Sequence, residues 1–106
     1  MGRLARKQEL GHTPTPEEAF GVIVRRIRLK RGLSQQALAD KSGYHRTYIS
    51  LLEGGQKSPS LRTIFDLAAT LQVKPSEIVT AIERLVGRTE RLARVNLSKR
   101  KHAKGE

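Results

Sequence analysis

Two segments, each too short to fold alone, meet at a glycine near the middle of this chain. Ser34 is a good helix N-cap, and the run that follows carries Leu38 and Ala39 before it reaches Gly43. Glycine takes up the left-handed backbone that ends a helix and turns the chain sharply. From about His45 to Glu53 a second run carries Ile49 and Leu52, and Gly54-Gly55 closes it. Each run is about two turns long, below the length at which a helix holds itself in water. The small Ala39 lets the two backbones approach closely, and Ile49 and Leu52 pin the second run onto a core. A pair of helices in this relation has to be built into a larger helical body.

The flanking sequence supplies that body. A first helix is predicted from Pro16, with Glu17 and Glu18 favouring its positive N-terminal end. It carries Phe20, Ile23, Val24 and Ile27 at helical spacing and stops at Gly32. A fourth helix starts after Pro59-Ser60, with Leu61, Ile64, Phe65, Ala68 and Leu71 expected on one inward face. A fifth opens at Lys74-Pro75-Ser76-Glu77 and carries Ile78, Val79 and Ile82. No alternating apolar run suggests a strand. The expected fold is all-α, with five helices and no sheet.

Charge divides the chain differently. Its 106 residues hold 21 Lys and Arg against 10 Asp and Glu, a formal charge of +11. Residues 17–82 are of mixed charge and form the expected domain, while 1–16 read as a flexible basic arm. Residues 83–106 hold eight basic and three acidic side chains. They read as a basic extension, partly helical and then disordered. A small chain this basic most often meets a polyanion, and nucleic acid is the commonest. No run approaches the ~18 apolar residues of a membrane helix. The N-terminus lacks the apolar stretch of a secretory signal, and the chain has no cysteine. A cytoplasmic, nucleoid-associated protein is expected.

The central pair of helices leaves His45, Arg46, Thr47 and Ser50 standing off the domain. This is the arrangement of a helix-turn-helix, whose second helix enters the major groove of DNA. Leu33-Ser34-Gln35-Gln36-Ala37-Leu38-Ala39, then Gly43, Tyr48-Ile49-Ser50, Glu53-x-Gly55 and Pro59-Ser60 together resemble the phage repressor/Cro (XRE-type) helix-turn-helix family. The resemblance covers roughly residues 20–79 and implies a lambda-repressor-like, five-helix domain. His-Arg-Thr-Tyr-Ile-Ser at 45–50 is similar to the reading helix of restriction–modification controller proteins.

The resemblance implies roles for particular residues. Arg46, Thr47, Ser50 and Leu51 occupy base-facing positions, with His45 beside them, and Gln35 occupies a phosphate-binding one. Ser34, Tyr48, Gln56 and Lys57 are further candidates for the DNA backbone, although Tyr48 reads equally well as a buttress of the helix. Arg28 and Glu53 occupy positions that commonly pair, and Ala39, Gly43, Ile49 and Leu52 hold the unit together. Relatives dimerise through the end of the fifth helix, where Ile78, Val79, Ile82, Leu85 and Val86 form an apolar set. Three positions depart from the family pattern, one of them Leu51, apolar at a reading position, which can touch a thymine methyl but cannot hydrogen-bond. His45 and Lys74 stand where a hydroxyl or carboxylate residue usually caps a helix.

Other chemistry finds little support. Gln56-Lys57-Ser58 lacks the glycine pattern and preceding strand of a phosphate-binding loop. His12, His45 and His102 are widely separated, so no metal site and no cofactor are expected. No catalytic constellation is recognisable, so the chain does not read as an enzyme. The expected function is a transcriptional regulator that binds double-stranded DNA as a homodimer on a near-palindromic operator. The alternatives are a DNA-binding, antitoxin-like partner of a second protein, and a basic protein that binds nucleic acid by charge alone.

Overall fold

The computed structural model describes residues 13–87, and what is expected of the basic arm before 13 and of the extension after 87 lies outside them. Helix α1 (Pro16–Lys30) begins at Thr15, whose hydroxyl accepts from the Glu18 amide while the Glu18 carboxylate accepts from the Thr15 amide, both at 3.0 Å. This reciprocal pair satisfies two amides that the first turn leaves without partners. Helix α2 (Gln35–Ser42) starts under Ser34, whose hydroxyl accepts from the Ala37 amide at 2.9 Å. Helix α3 (Arg46–Glu53) follows the turn, and α4 (Leu61–Leu71) is capped by Ser60. A fifth helix, α5, occupies residues 75–87. The architecture is all-α, with no strand among the described residues.

The two departures at caps have physical resolutions. His45 caps α3 with its ring, Nδ1 accepting from the Thr47 amide at 3.3 Å. Lys74 has no side-chain acceptor. Half of the reciprocal arrangement survives there, because its amide donates to Glu77 Oε1 at 3.0 Å.

The core gathers one face from every helix: Phe20, Ile23 and Val24, then Leu38 and Ala39, then Ile49 and Leu52, then Leu67, Ala68 and Leu71, and Ile78. Each large apolar side chain so buried stabilises the fold by roughly 1.5–3 kcal/mol before conformational entropy is set against it. Helix α3 packs on both α1 and α2, and α2 also packs on α4. Arg31 closes the far end, donating to the carbonyls of Leu71 at 2.8 Å and Gln72 at 3.2 Å.

Two expectations need correction. Leu61 and Phe65 do not face inward; they are 72% and 54% exposed. Thr63, Leu67, Ala68 and Leu71 set the buried face of α4. At ~100° per residue, Leu61 and Phe65 lie roughly 100–140° around the helix from its centre. The apolar set on α5 is also divided. Ile78 is fully buried inside the chain, so it is a core residue and unavailable to a partner. Ile82 and Leu85 pack partly on the same core, whereas Val79 is half exposed.

Candidate nucleic-acid interface

Gly43 makes the turn. Its φ of 84° is left-handed, and its amide and that of Tyr44 both reach the carbonyl of Ala39, at 2.9 and 3.2 Å. A side chain at such a φ is strained, while an added Cβ would meet no atom within 4 Å, so conformation and not space selects glycine here. The turn brings α3 across α2 with Ala39, Ile49 and Leu52 sealed between the helices. His45, Arg46 and Thr47 are left exposed at the start of α3, with Ser50 and Leu51 half-buried one turn on. Gln56 and Lys57 are exposed on the following loop.

Behind this face lies an ion pair. Arg28 Nε donates to Glu53 Oε2 at 2.6 Å and Nη2 donates to Oε1 at 2.9 Å, with the two side chains only 7% and 3% exposed. Arg28 Nη1 also reaches the Leu33 carbonyl at 2.8 Å. The bidentate geometry and the third bond satisfy most of what a buried guanidinium needs. Gln35 joins the group through Nε2, which donates to Glu53 Oε1 at 3.0 Å. Its own Oε1 accepts from Arg46 Nη1 at 3.4 Å. One connected chain of side chains therefore runs from inside α1 to the outer face of α3.

The tyrosines brace α3 from its other side. Their rings sit 5.2 Å apart, tilted by 44°. The Tyr48 hydroxyl lies 3.1 Å from Thr63 Oγ1, which is itself 3.0 Å from Ser60 Oγ. Tyr48 thus buttresses α3 against the start of α4. Tyr44 packs against the core and donates its hydroxyl to Asp66 Oδ2 at 2.6 Å. That bond to a carboxylate raises the Tyr44 pKa above its ordinary value near 10. A raised pKa in the folded state gives stability that is complete below pH 10 and lost as pH climbs through the raised value. Tyr44→Phe should therefore lower stability by about 0.5–1.5 kcal/mol near neutrality. The gap to wild type should close above pH 10, and melting curves across pH 8–11 measure it.

Three contributors were not read from the sequence. Asp66 and Thr63 anchor the tyrosines, yet an isolated polar residue on a helix carries no signal of such a partner. Gly21 did carry one. A glycine in mid-helix costs roughly 0.5–1 kcal/mol against alanine, so its presence asks for a packing reason. The reason is close approach: a Cβ there would fall 2.5 Å from the carbonyl oxygens of both Leu52 and Glu53.

Among the described residues, no group of three or more His, Cys, Asp or Glu is placed to hold a metal ion. No helix among them is long and apolar enough to cross a membrane.

Comparison with known proteins places this geometry in a family. A family model described as helix-turn-helix matches residues 24–78, just over half of the chain. Control protein C.BamHI of Bacillus amyloliquefaciens is 43% identical over 61 residues, covering 57% of this chain and 75% of that protein. The crystal structure of the restriction-modification controller protein C.AhdI from Aeromonas hydrophila is 41% identical. It superposes with a TM-score of 0.56 over 57% of this chain and 92% of that one. The clp gene regulator ClgR of Corynebacterium glutamicum, 28% identical, has a TM-score of 0.66 over 78% and 92%. With its turn at Gly43, its packed α2 and α3 and these relatives, the chain belongs to the XRE-type helix-turn-helix family of DNA-binding transcription regulators.

Proposed function

We propose that this regulator binds double-stranded DNA sequence-specifically, as a homodimer on a near-palindromic operator, and acts as a controller of the kind its relatives are named for. The observation that carries the reading is the outer face of α3. Exposed polar side chains stand on a helix whose back is fixed by Ile49, Leu52 and the Glu53 ion pair. A rigid helix that presents its N-terminal residues outward suits the major groove. In this reading Arg46 contacts a guanine edge, Thr47 and Ser50 contact neighbouring bases, and Leu51 meets a thymine methyl. His45 lies at the entry to the groove. Ser34, Gln35, Gln56 and Lys57 flank the helix and serve phosphates, which set register without reading sequence, while Tyr48 supports the helix from behind.

One reading helix of two turns spans only a few base pairs, and pairing two copies doubles the site. The faces of α5 that carry Val79, Ile82, Leu85 and Val86 meet in the dimer and set the two copies of α3 about 34 Å apart. The dimer acts on the nucleoid, in the cytoplasm.

The test is a binding titration against a selected operator and random duplexes at two salt concentrations. Arg46→Ala should weaken operator binding by about 1–3 kcal/mol and relax preference at one base position per half-site, with little change on random DNA. A mutant that discriminates as well as wild type would sink the role of Arg46. Binding of wild type that tracks only salt and not sequence would favour attraction by charge alone.

A further inference from the structure

We propose that His45 binds a DNA phosphate through Nε2 as a neutral hydrogen-bond donor, and that its capping of α3 fixes it in that form. The proposal rests on the reading of α3 as the helix that meets DNA. A neutral imidazole carries one proton on its two nitrogens, so one of them donates and the other accepts. Which is which is set by the bond that one of them already makes. In His45 that bond is the cap, where Nδ1 accepts from the Thr47 amide at 3.3 Å. An amide N–H only donates, so Nδ1 carries no proton and the ring's proton stands on Nε2. A hydroxyl or carboxylate cap ends at the group that makes the capping bond. The imidazole carries a second polar atom on the far side of its ring. His45 is exposed, and Nε2 has no partner among the described residues.

The capping bond also limits where the ring can reach. His45 has extended backbone, φ −76° and ψ 144°, and its ring is folded back over the first turn of α3. Held there, it does not extend toward the floor of the groove as the longer Arg46 side chain can. Phosphates line the rim of the groove, and their oxygens accept without donating. The Nε2 proton suits that acceptor, and a ring in this form cannot take a hydrogen bond from a base amino group. A second proton would remove the acceptor that the Thr47 amide uses. His45 therefore adds a hydrogen bond to the DNA backbone without displacing a counterion, unlike a lysine in the same place.

Two measurements at pH 8 test this. Nitrogen chemical shifts of the His45 ring in the full chain, assigned by their loss in His45→Ser, should show a bare Nδ1 and a protonated Nε2. The reverse tautomer would overturn the proposal. His45→Ser keeps a good cap and removes only the ring, so melting should not fall. Its affinity should drop about 2- to 10-fold, equally for the selected operator, for variants of that operator at single positions and for random duplexes. The slope of log K against log salt should stay as in wild type, because no charge is lost. A slope flatter by ~0.9 would mean a charged ring and overturn the neutral donor. A loss confined to one base position would make His45 a base reader, and unchanged affinity on every duplex would remove the contact; both overturn the proposal. If wild type itself binds no duplex, the reading of α3 fails first and the phosphate contact falls with it. The tautomer is read on wild type, so it decides the matter even where the variant folds poorly.

Discussion

Glu53→Ala is expected to lower the unfolding free energy by about 3–5 kcal/mol, since it leaves the Arg28 charge buried without its partner. For a small domain whose total stability is of order 5–15 kcal/mol, that is about a fifth or more of the whole. In a melt it should appear as a fall of roughly 15–30 °C. The size follows from burial: with the pair only 7% and 3% exposed, water cannot take over from the lost carboxylate. An exposed pair would be worth under about 1 kcal/mol, so a loss that small would contradict the buried geometry. Replacing both partners, Arg28→Met with Glu53→Leu, should restore much of the stability, because no lone charge remains.

Gly21→Ala is the second large effect, and two terms of opposite sign decide it. Alanine is the better helix former by roughly 0.5–1 kcal/mol. Against that gain, its methyl would stand 2.5 Å from two backbone carbonyl oxygens at the end of α3. Those atoms belong to the helix itself and cannot rotate away, so α1 and α3 must separate. Overpacking of this kind costs typically 1–3 kcal/mol, and the stiffness of backbone puts it at the upper end. The net loss should be about 2 kcal/mol, measured by urea unfolding. A stabilised Gly21→Ala would mean that the helices do not approach as closely as this. Separation would also stretch the Arg28–Glu53 bonds, so DNA affinity should fall along with stability.

The helix-turn-helix was legible because its determinants are local. A hydroxyl cap, a small residue, a glycine four places later and two apolar anchors lie within twenty-one residues, Ser34 to Gly54. Long-range partners were not legible in that way. Arg28 and Glu53 are 25 residues apart, and their pairing was anticipated only through family resemblance. The faces of α4 and α5 were misjudged for one reason. Helical periodicity collects every apolar side chain within an arc, and it cannot say where core ends and surface begins. Leu61 and Phe65 fell outside that edge, and Ile78 fell inside it. His45 stands where caps are commonly hydroxyl or carboxylate residues, and its imidazole nitrogen accepts the Thr47 amide in their place. The base and phosphate contacts depend on a second molecule, whose sequence this chain does not encode.

Base-specific reading by α3 is tested most directly by selecting duplexes from a random-sequence pool with the full chain. The expected outcome is one enriched motif of two inverted half-sites, their centres about 10 base pairs apart. The same selection with Arg46→Ala should lose information at one position in each half-site. A pool that shows no motif, retained by charge and released evenly by salt, would contradict sequence-specific regulation by this chain.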